Sequence, residues 1–361
     1  MKLFIMSLLF VCIACHQKNS ASFSSAGIQA RVITENLHYP WEILWGPDNK
    51  IWMTERGGKI SRVDTANGKI TPLFTIAEVS AQGEGGLLGM VLHPGFAANP
   101  YVYVAYDYEQ AGVYKAKIVR YLFNGTTLTR PFTIIDNINA SGIHNGCRLL
   151  IDPDLKLFIT TGDASNQSSP QNNASLNGKI LRLNLDGSIP ADNPVAGSPV
   201  WTRGHRNPQG LVFANHILYS SEHGPDSDDE INIIEKGRNY GWPEVKGFCD
   251  ENSETGFCTA NHVKEPIKAW TPTLAVSGMD FYNAGLIPQW KNSLLVATLK
   301  SSRLMQLKLN AAHTAVTATN EFLANEYGRM RDICISPGGR VYICTSNGDN
   351  DKIIELSQKR E

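Results

Sequence analysis

Six stretches of this chain repeat one short pattern: an apolar strand, a tight Pro/Asp/Asn/Gly turn, a second apolar strand, then a polar loop and further strand. The turns fall at Pro47-Asp48, His93-Pro94-Gly95, Asp152-Pro153-Asp154, Ala214-Asn215-His216, the longer segment after Tyr282, and Ser336-Pro337-Gly338-Gly339. One such sheet cannot bury both of its faces alone, whereas several arranged radially can. After an N-terminal leader, six units leave roughly 55–60 residues each, above the ~40–50 of common blade repeats, so long loops are expected between strands. The expected fold is all-β: a six-bladed β-propeller of four-stranded antiparallel sheets over residues 29–361.

The N-terminus reads as an export signal. Lys2 precedes an apolar segment from Leu3 to Ala14 that is too short to span a bilayer. Residues 1–15 are expected to be the signal peptide and residues 16–28 a polar tether. Cys15 follows Cys12-Ile13-Ala14, which loosely fits a lipoprotein cleavage site; a plain secreted chain fits equally well. The chain is therefore expected outside the cytoplasm, periplasmic or lipid-anchored at the envelope, with membrane contact only through such an anchor. A net charge of -1 supplies no field for nucleic acid. Cys249 and Cys258 flank a short polar loop, and a bridge there suits an oxidising compartment. Cys334 and Cys344 sit on two strands of one hairpin and read either as a second bridge or as two buried thiols. Cys147 is left over and expected to be buried.

In each repeat, the start of the first strand and the end of the second lie at the same edge. A ring of blades collects those edges on one face around the axis. The residues at strand starts are Glu84, His144, Arg206, Asn207, Gln209, Arg329 and Arg331; at strand ends they are Asp163, Glu222 to Pro225, and Lys300. Singly, each is ordinary turn or surface chemistry. Together they form a concave site rich in cations, which requires an anion, and Arg suits carboxylates. His144 is the candidate base, because its unperturbed pKa lies near working pH, with Asp163 to orient its ring. Main-chain oxygens at Gly224 and Pro225 suit a hard cation. The acidic run Asp226 to Glu230 lacks EF-hand spacing and by itself reads as a solvated loop.

At these residues the chain closely resembles the soluble quinoprotein aldose dehydrogenases. The likeness is carried by GEGGLLGMVLHPGF (83–96), HNGCRLLIDPDLKLFITTGDASNQ (144–167), LNGKILRLNLDGSIPADNP (176–194), GHRNPQGLVF (204–213), SEHGPDSDDEINIIEKGRNYGWP (221–243) and GRMRDICISPGGRVYICTSNGD (328–349). The resemblance implies a six-bladed propeller that oxidises aldoses to lactones with pyrroloquinoline quinone (PQQ) and calcium. It implies His144 as the base taking the hydroxyl proton, Asp163 as its orienting partner, and Arg206 as the cation beside the reduced quinone oxygen. It also implies Glu84, Asn207, Gln209, Trp270, Lys300, Arg329 and Arg331 around the cofactor, and Gly224 and Pro225 on calcium. A second calcium is implied at Glu230, the Tyr240 carbonyl and Asp250. Glu84 departs from a Gln of the glucose enzymes, and Cys147 from a customary Gly beside the base. The long insertions of the dimeric enzymes are absent, and monomer and homodimer both stay open. The electron acceptor is unidentified. Two rivals remain: a non-catalytic binding propeller of the hedgehog-interacting type, and a calcium-dependent lactonase. The axial Arg and Lys residues argue against the lactonase, which needs carboxylates around its metal.

Overall fold

The computed structural model describes residues 27–359, so the expected leader, Cys15 and all but the end of the tether lie outside the described residues. Twenty-four strands form six four-stranded antiparallel sheets. Blade 1 runs outward from the axis through Pro40–Trp45, Ile51–Glu55, Lys59–Val63 and Ile70–Thr75. The innermost strands of blades 2 to 6 are Leu87–Leu92, Gly146–Ile151, Pro208–Ala214, Val276–Tyr282 and Met330–Ile335. All six repeats found in the sequence supply the two inner strands of a blade. Blade 6 takes its outer strand from the other end of the chain: Ile28–Leu37 pairs antiparallel with Asp351–Gln358 and closes the ring.

The apolar runs become strands because both faces are covered by neighbouring blades. Ile51–Glu55 is buried along its whole length, as is Ser293–Thr298. Clusters such as Tyr103, Ile118, Leu149, Leu157 and Leu181 weld blade 2 to blade 3. Trp290 packs edge-on to both Tyr282 and Phe322 in the wall between blades 5 and 6. Cys249 and Cys258 are bridged. Cys334 and Cys344 are buried free thiols, because the register pairs Cys334 with Tyr342 and Cys344 with Asp332.

One irregularity recurs in every blade. The innermost strand pair shifts register near its start: at Pro40/Ile43, Leu87/Met90, Gly146/Leu149, Pro208/Gly210, Val276/Met279 and Met330/Asp332. A bulge bends a strand and re-aims its side chains. The residues inside these shifts include Trp41, Glu42, Arg148, Gln209, Ser277 and Arg331, and these meet one another near the axis.

Candidate active site

The polar strand ends do converge at one mouth of the ring. His144 is partly buried, and its Nδ1 lies 2.8 Å from Asp163 Oδ1. A carboxylate only accepts, so Nδ1 carries the hydrogen, and in the neutral ring Nε2 is the nitrogen with the lone pair. Asp163 is buried and held from two further sides: Ser165 N–H donates to Oδ1 at 2.8 Å, and Trp242 Nε1–H donates to Oδ2 at 2.9 Å. His144 itself has a left-handed backbone (φ 60°), as does Cys147 (φ 68°) two residues into the following strand. That conformation explains why glycine is the easier residue at position 147. The Cys147 side chain points into the blade 2–blade 3 core and not into the cleft, which Gly146 lines instead.

Beside this pair runs a chain of buried polar groups. Asn207 Oδ1 accepts from Gly146 N–H at 3.1 Å and from Gln209 Nε2 at 2.9 Å, and Gln209 Oε1 accepts from Arg331 Nη1 at 2.9 Å. The Arg331 guanidinium is buried, which lowers its pKa to about 10, so it stays a cation at neutral pH. Glu84 opposes that shift and likewise favours the charged forms of Arg56 and Arg206. Its carboxylate is thus set among three guanidinium groups. His223, given no role of its own within the strand end Glu222 to Pro225, lines the cleft with Trp41, Glu84, Gln209 and Arg331. Burial, then Arg331, Arg206 and His144, push its pKa down to about 3, so its imidazole is neutral.

Four buried nitrogens around this cleft have no hydrogen-bond partner: Arg206 Nε, Asn207 Nδ2, His223 Nε2 and Arg331 Nε. Native interiors rarely leave such groups unsatisfied, so their clustering points to a polar ligand. An adjoining cleft is lined by Arg206, His223, Gly224, Pro225, Glu230 and Tyr240 among others, with a volume of about 10 Å³, room for one water or a bare ion. Burial, and then the neighbouring Glu222 carboxylate, push Glu230 well above the usual carboxylate range. A cation there would relieve both. The Gly224 carbonyl already accepts from Arg206 Nη1 at 2.8 Å, so a metal on that oxygen needs the guanidinium in another rotamer.

Other expected residues are not among those lining the two clefts. Lys300 is exposed, its Nζ donating to Thr273 Oγ1 at 3.0 Å, and Arg329 is exposed at the start of blade 6. Neither lines the cleft. Trp270 is half-buried in the outer strand Lys268–Trp270 of blade 4, packed against core residues and under the Lys268 ammonium, and it lines neither cleft. Asp250 is exposed on the loop that Cys249 and Cys258 close and is not among the residues lining the cleft of Glu230 and Tyr240. Among the described residues no group of three His, Cys, Asp or Glu side chains is spaced to hold a metal, so main-chain oxygens would have to contribute.

Fold and site together define a propeller oxidoreductase, and the chain belongs to the glucose/sorbosone dehydrogenase family, which matches residues 37–355. It is 34% identical to quinoprotein glucose dehydrogenase B of Acinetobacter calcoaceticus, over 91% of this chain and 88% of that protein. It is 32% identical to aldose sugar dehydrogenase YliI of Escherichia coli, over 92% and 94% of the two chains. Among solved structures, the PQQ-bound aldose sugar dehydrogenase from Streptomyces coelicolor superposes with a TM-score of 0.80 at 32% identity, covering 92% of this chain and 99% of that one.

Proposed function

We propose that this protein is an exported quinoprotein dehydrogenase that oxidises aldoses at the anomeric carbon to lactones. Bound PQQ would supply the two-electron acceptor for the sugar's hydride, with calcium polarising it. The observation that carries the reading is the set of four unpartnered nitrogens beside the His144–Asp163 pair. A flat, multiply charged ligand rich in carboxylate and carbonyl oxygens would satisfy the Arg206, Asn207 and Arg331 donors, and the two guanidinium groups would neutralise it. The named relatives that use this quinone support the same choice.

The protein's own part is positioning and proton transfer. His144 Nε2, with its lone pair free, would take the hydroxyl proton as the hydride leaves the same carbon. Asp163 would then stabilise the imidazolium, while Trp242 and Ser165 stop the carboxylate from turning. Calcium would sit at the Gly224 and Pro225 carbonyls once Arg206 turns aside. Glu230, the Tyr240 carbonyl and Asp250 are the candidates for a second cation. Lys300, Arg329 and Trp270 would act from the rim on the bound cofactor. Electrons would pass to an external acceptor.

The test is direct. Purified protein is reconstituted with PQQ and calcium, then given an aldose panel and a dye acceptor. We expect dye reduction, and we expect His144→Ala to abolish turnover while quinone affinity, followed by absorbance, stays nearly unchanged. No reduction with any aldose would favour a binding propeller. Lactone hydrolysis without the quinone would favour a lactonase.

A further inference from the structure

The loop that carries Asp163 is pinned by a cation of its own. Strands Lys156–Thr161 and Lys179–Asn184 of blade 3 pair with Thr161 opposite Lys179, and residues 162–178 join them at the mouth beside His144. Lys179 is fully buried. Its Nζ donates to three main-chain carbonyls: Ser169 at 2.8 Å, Pro170 at 2.9 Å and Asn177 at 2.8 Å. No carboxylate pairs with it among the described residues, and the charged side chain that acts on it is Arg203, opposite in register on Val200–Arg203. Burial, then Arg203, push its pKa down to about 7. A neutral amine has two hydrogens and would turn its lone pair on the third carbonyl, so the cage has the geometry of an ammonium. Taking such a charge out of water is expensive, and an apolar side chain would fill the same space without that cost.

What the cation holds together is the loop, which is long for a connection without strands of its own. On its returning limb, Asn177 Nδ2 donates to the Gly162 carbonyl at 3.0 Å, and Gly178 N–H donates to the same oxygen at 2.9 Å; Gly162 is the residue before Asp163. A Cβ at Gly178 would lie 2.5 Å from Pro170 Cγ, so the two limbs close tightly on each other. On the outer limb, Gln171 Nε2 donates to the Trp242 carbonyl at 2.8 Å, and the Pro170 carbonyl also accepts from Gly204 N–H at 3.2 Å. Trp242 is the residue whose indole holds Asp163 Oδ2, and Asp163 N–H donates to the Arg206 carbonyl at 2.8 Å. The ammonium thus sits where the segments bearing Asp163, Trp242 and Arg206 are tied together, yet it bonds to none of those three side chains.

We propose that Lys179 is a positioning residue: a tethered cation whose carbonyl cage holds the 162–178 loop shut and so fixes Asp163 against His144. The cage is a site for an ammonium-sized ion, filled by the chain's own side chain. Its effect on turnover rests on the dehydrogenase reading above; the cage itself does not.

Amide hydrogen exchange on the full chain tests the cage with neither cofactor nor sugar present. Lys179→Met keeps the length and deletes the charge. It should speed exchange in 162–178 and 239–243 by about tenfold or more, the worth of one charge-assisted hydrogen bond, while blades 1, 5 and 6 keep their protection. Lys179→Ala leaves room for a small ion, so n-propylammonium should restore protection where 1-propanol at the same concentration does not. In the enzyme reconstituted with PQQ and calcium, Lys179→Met should lower kcat by about tenfold or more with KM for the sugar little changed, and propylammonium should recover kcat in Lys179→Ala. The proposal is overturned if folded Lys179→Met exchanges in 162–178 at the parent rate, or if propanol restores Lys179→Ala as well as propylammonium does. If Lys179→Met does not fold, the alanine variant decides: propylammonium must return it to the native state, and no response overturns the cage. A loop that loosens with kcat unchanged overturns the positioning role. Failure of the unaltered protein to reduce the dye would instead overturn the dehydrogenase reading, and exchange and rescue would still judge the cage.

Discussion

At the scale of single residues, the best-held group is Asp163, bonded by an imidazole, an indole N–H and a main-chain N–H. Trp242→Phe keeps the ring and deletes one donor to a buried carboxylate, an interaction worth about 1.5–3 kcal/mol. In the reconstituted enzyme we expect kcat to fall by roughly tenfold or more with KM little changed, since the indole touches the base's partner and not the sugar. An equal loss in KM would mean that Trp242 shapes the sugar pocket instead. His144 and Asp163 were legible in the sequence because each occupies a strand end whose position the repeat dictates. Trp242 was not picked out, and His223 was placed at a strand end without a role. Trp242 comes from the NYGWP loop, where nothing in the spacing says which way an indole will point, and His223 sits between a carboxylate and a glycine that drew the attention. Asp280 supplies a second test. Burial, against opposing main-chain hydrogen bonds, raises its pKa from 3.8 to about 7. Between those values the folded chain holds the proton that the unfolded chain has released, so its contribution to stability is lost as pH rises through that window. Asp280→Asn should therefore match the parent near pH 4 and exceed it increasingly up to pH 7, measured by urea unfolding at several pH values. A constant difference across the range would show that Asp280 does not titrate there.

At the scale of the strand, the recurring bulge decides which residues reach the axis. The innermost strands are buried in unbroken runs near their starts, so burial alone does not mark which side chain turns to the axis. A two-residue alternation cannot place Trp41, Glu42, Arg148 and Arg331 at the centre, because the register shift falls between the residues that alternation counts. Glycines make the room: a Cβ at Gly278 would sit 1.8 Å from Asp332 Oδ1, and one at Gly89 would sit 2.1 Å from the Cys147 carbonyl. Arg148 sits nearby at the axis, its guanidinium 4.2 Å from the Trp41 ring centre and bonded to Glu42 and Asp332. Arg148→Met would leave two buried carboxylates without their cation, a loss of about 3–5 kcal/mol. The expected reading is a large drop in the urea midpoint with an unchanged slope. A loss below 1 kcal/mol would mean that water already compensates those charges.

At the scale of the whole molecule, the repeat named the architecture before any coordinates were needed, since six similar hairpins leave few other ways to bury their faces. The closing strand was not foreseen. Ile28–Leu37 is largely exposed, with burial only at scattered positions, so it lacks the apolar run that marks the other strands. Its first residue falls within the stretch that reads as tether. Its worth is topological, because it ties blade 6 to the chain's beginning. Removing residues through Leu37 should expose the edge of Asp351–Gln358, lower Tm on the order of 10 °C and promote association through that edge. Scanning calorimetry with light scattering checks both, and an unchanged Tm would show that the ring holds without its clasp.

Arg148, stacked under Trp41 and clamped by acids from two other blades, has one more consequence. The ring is a cup and not a tube: whatever enters above the indole must leave by the same door. Turnover is then paced by a single vestibule.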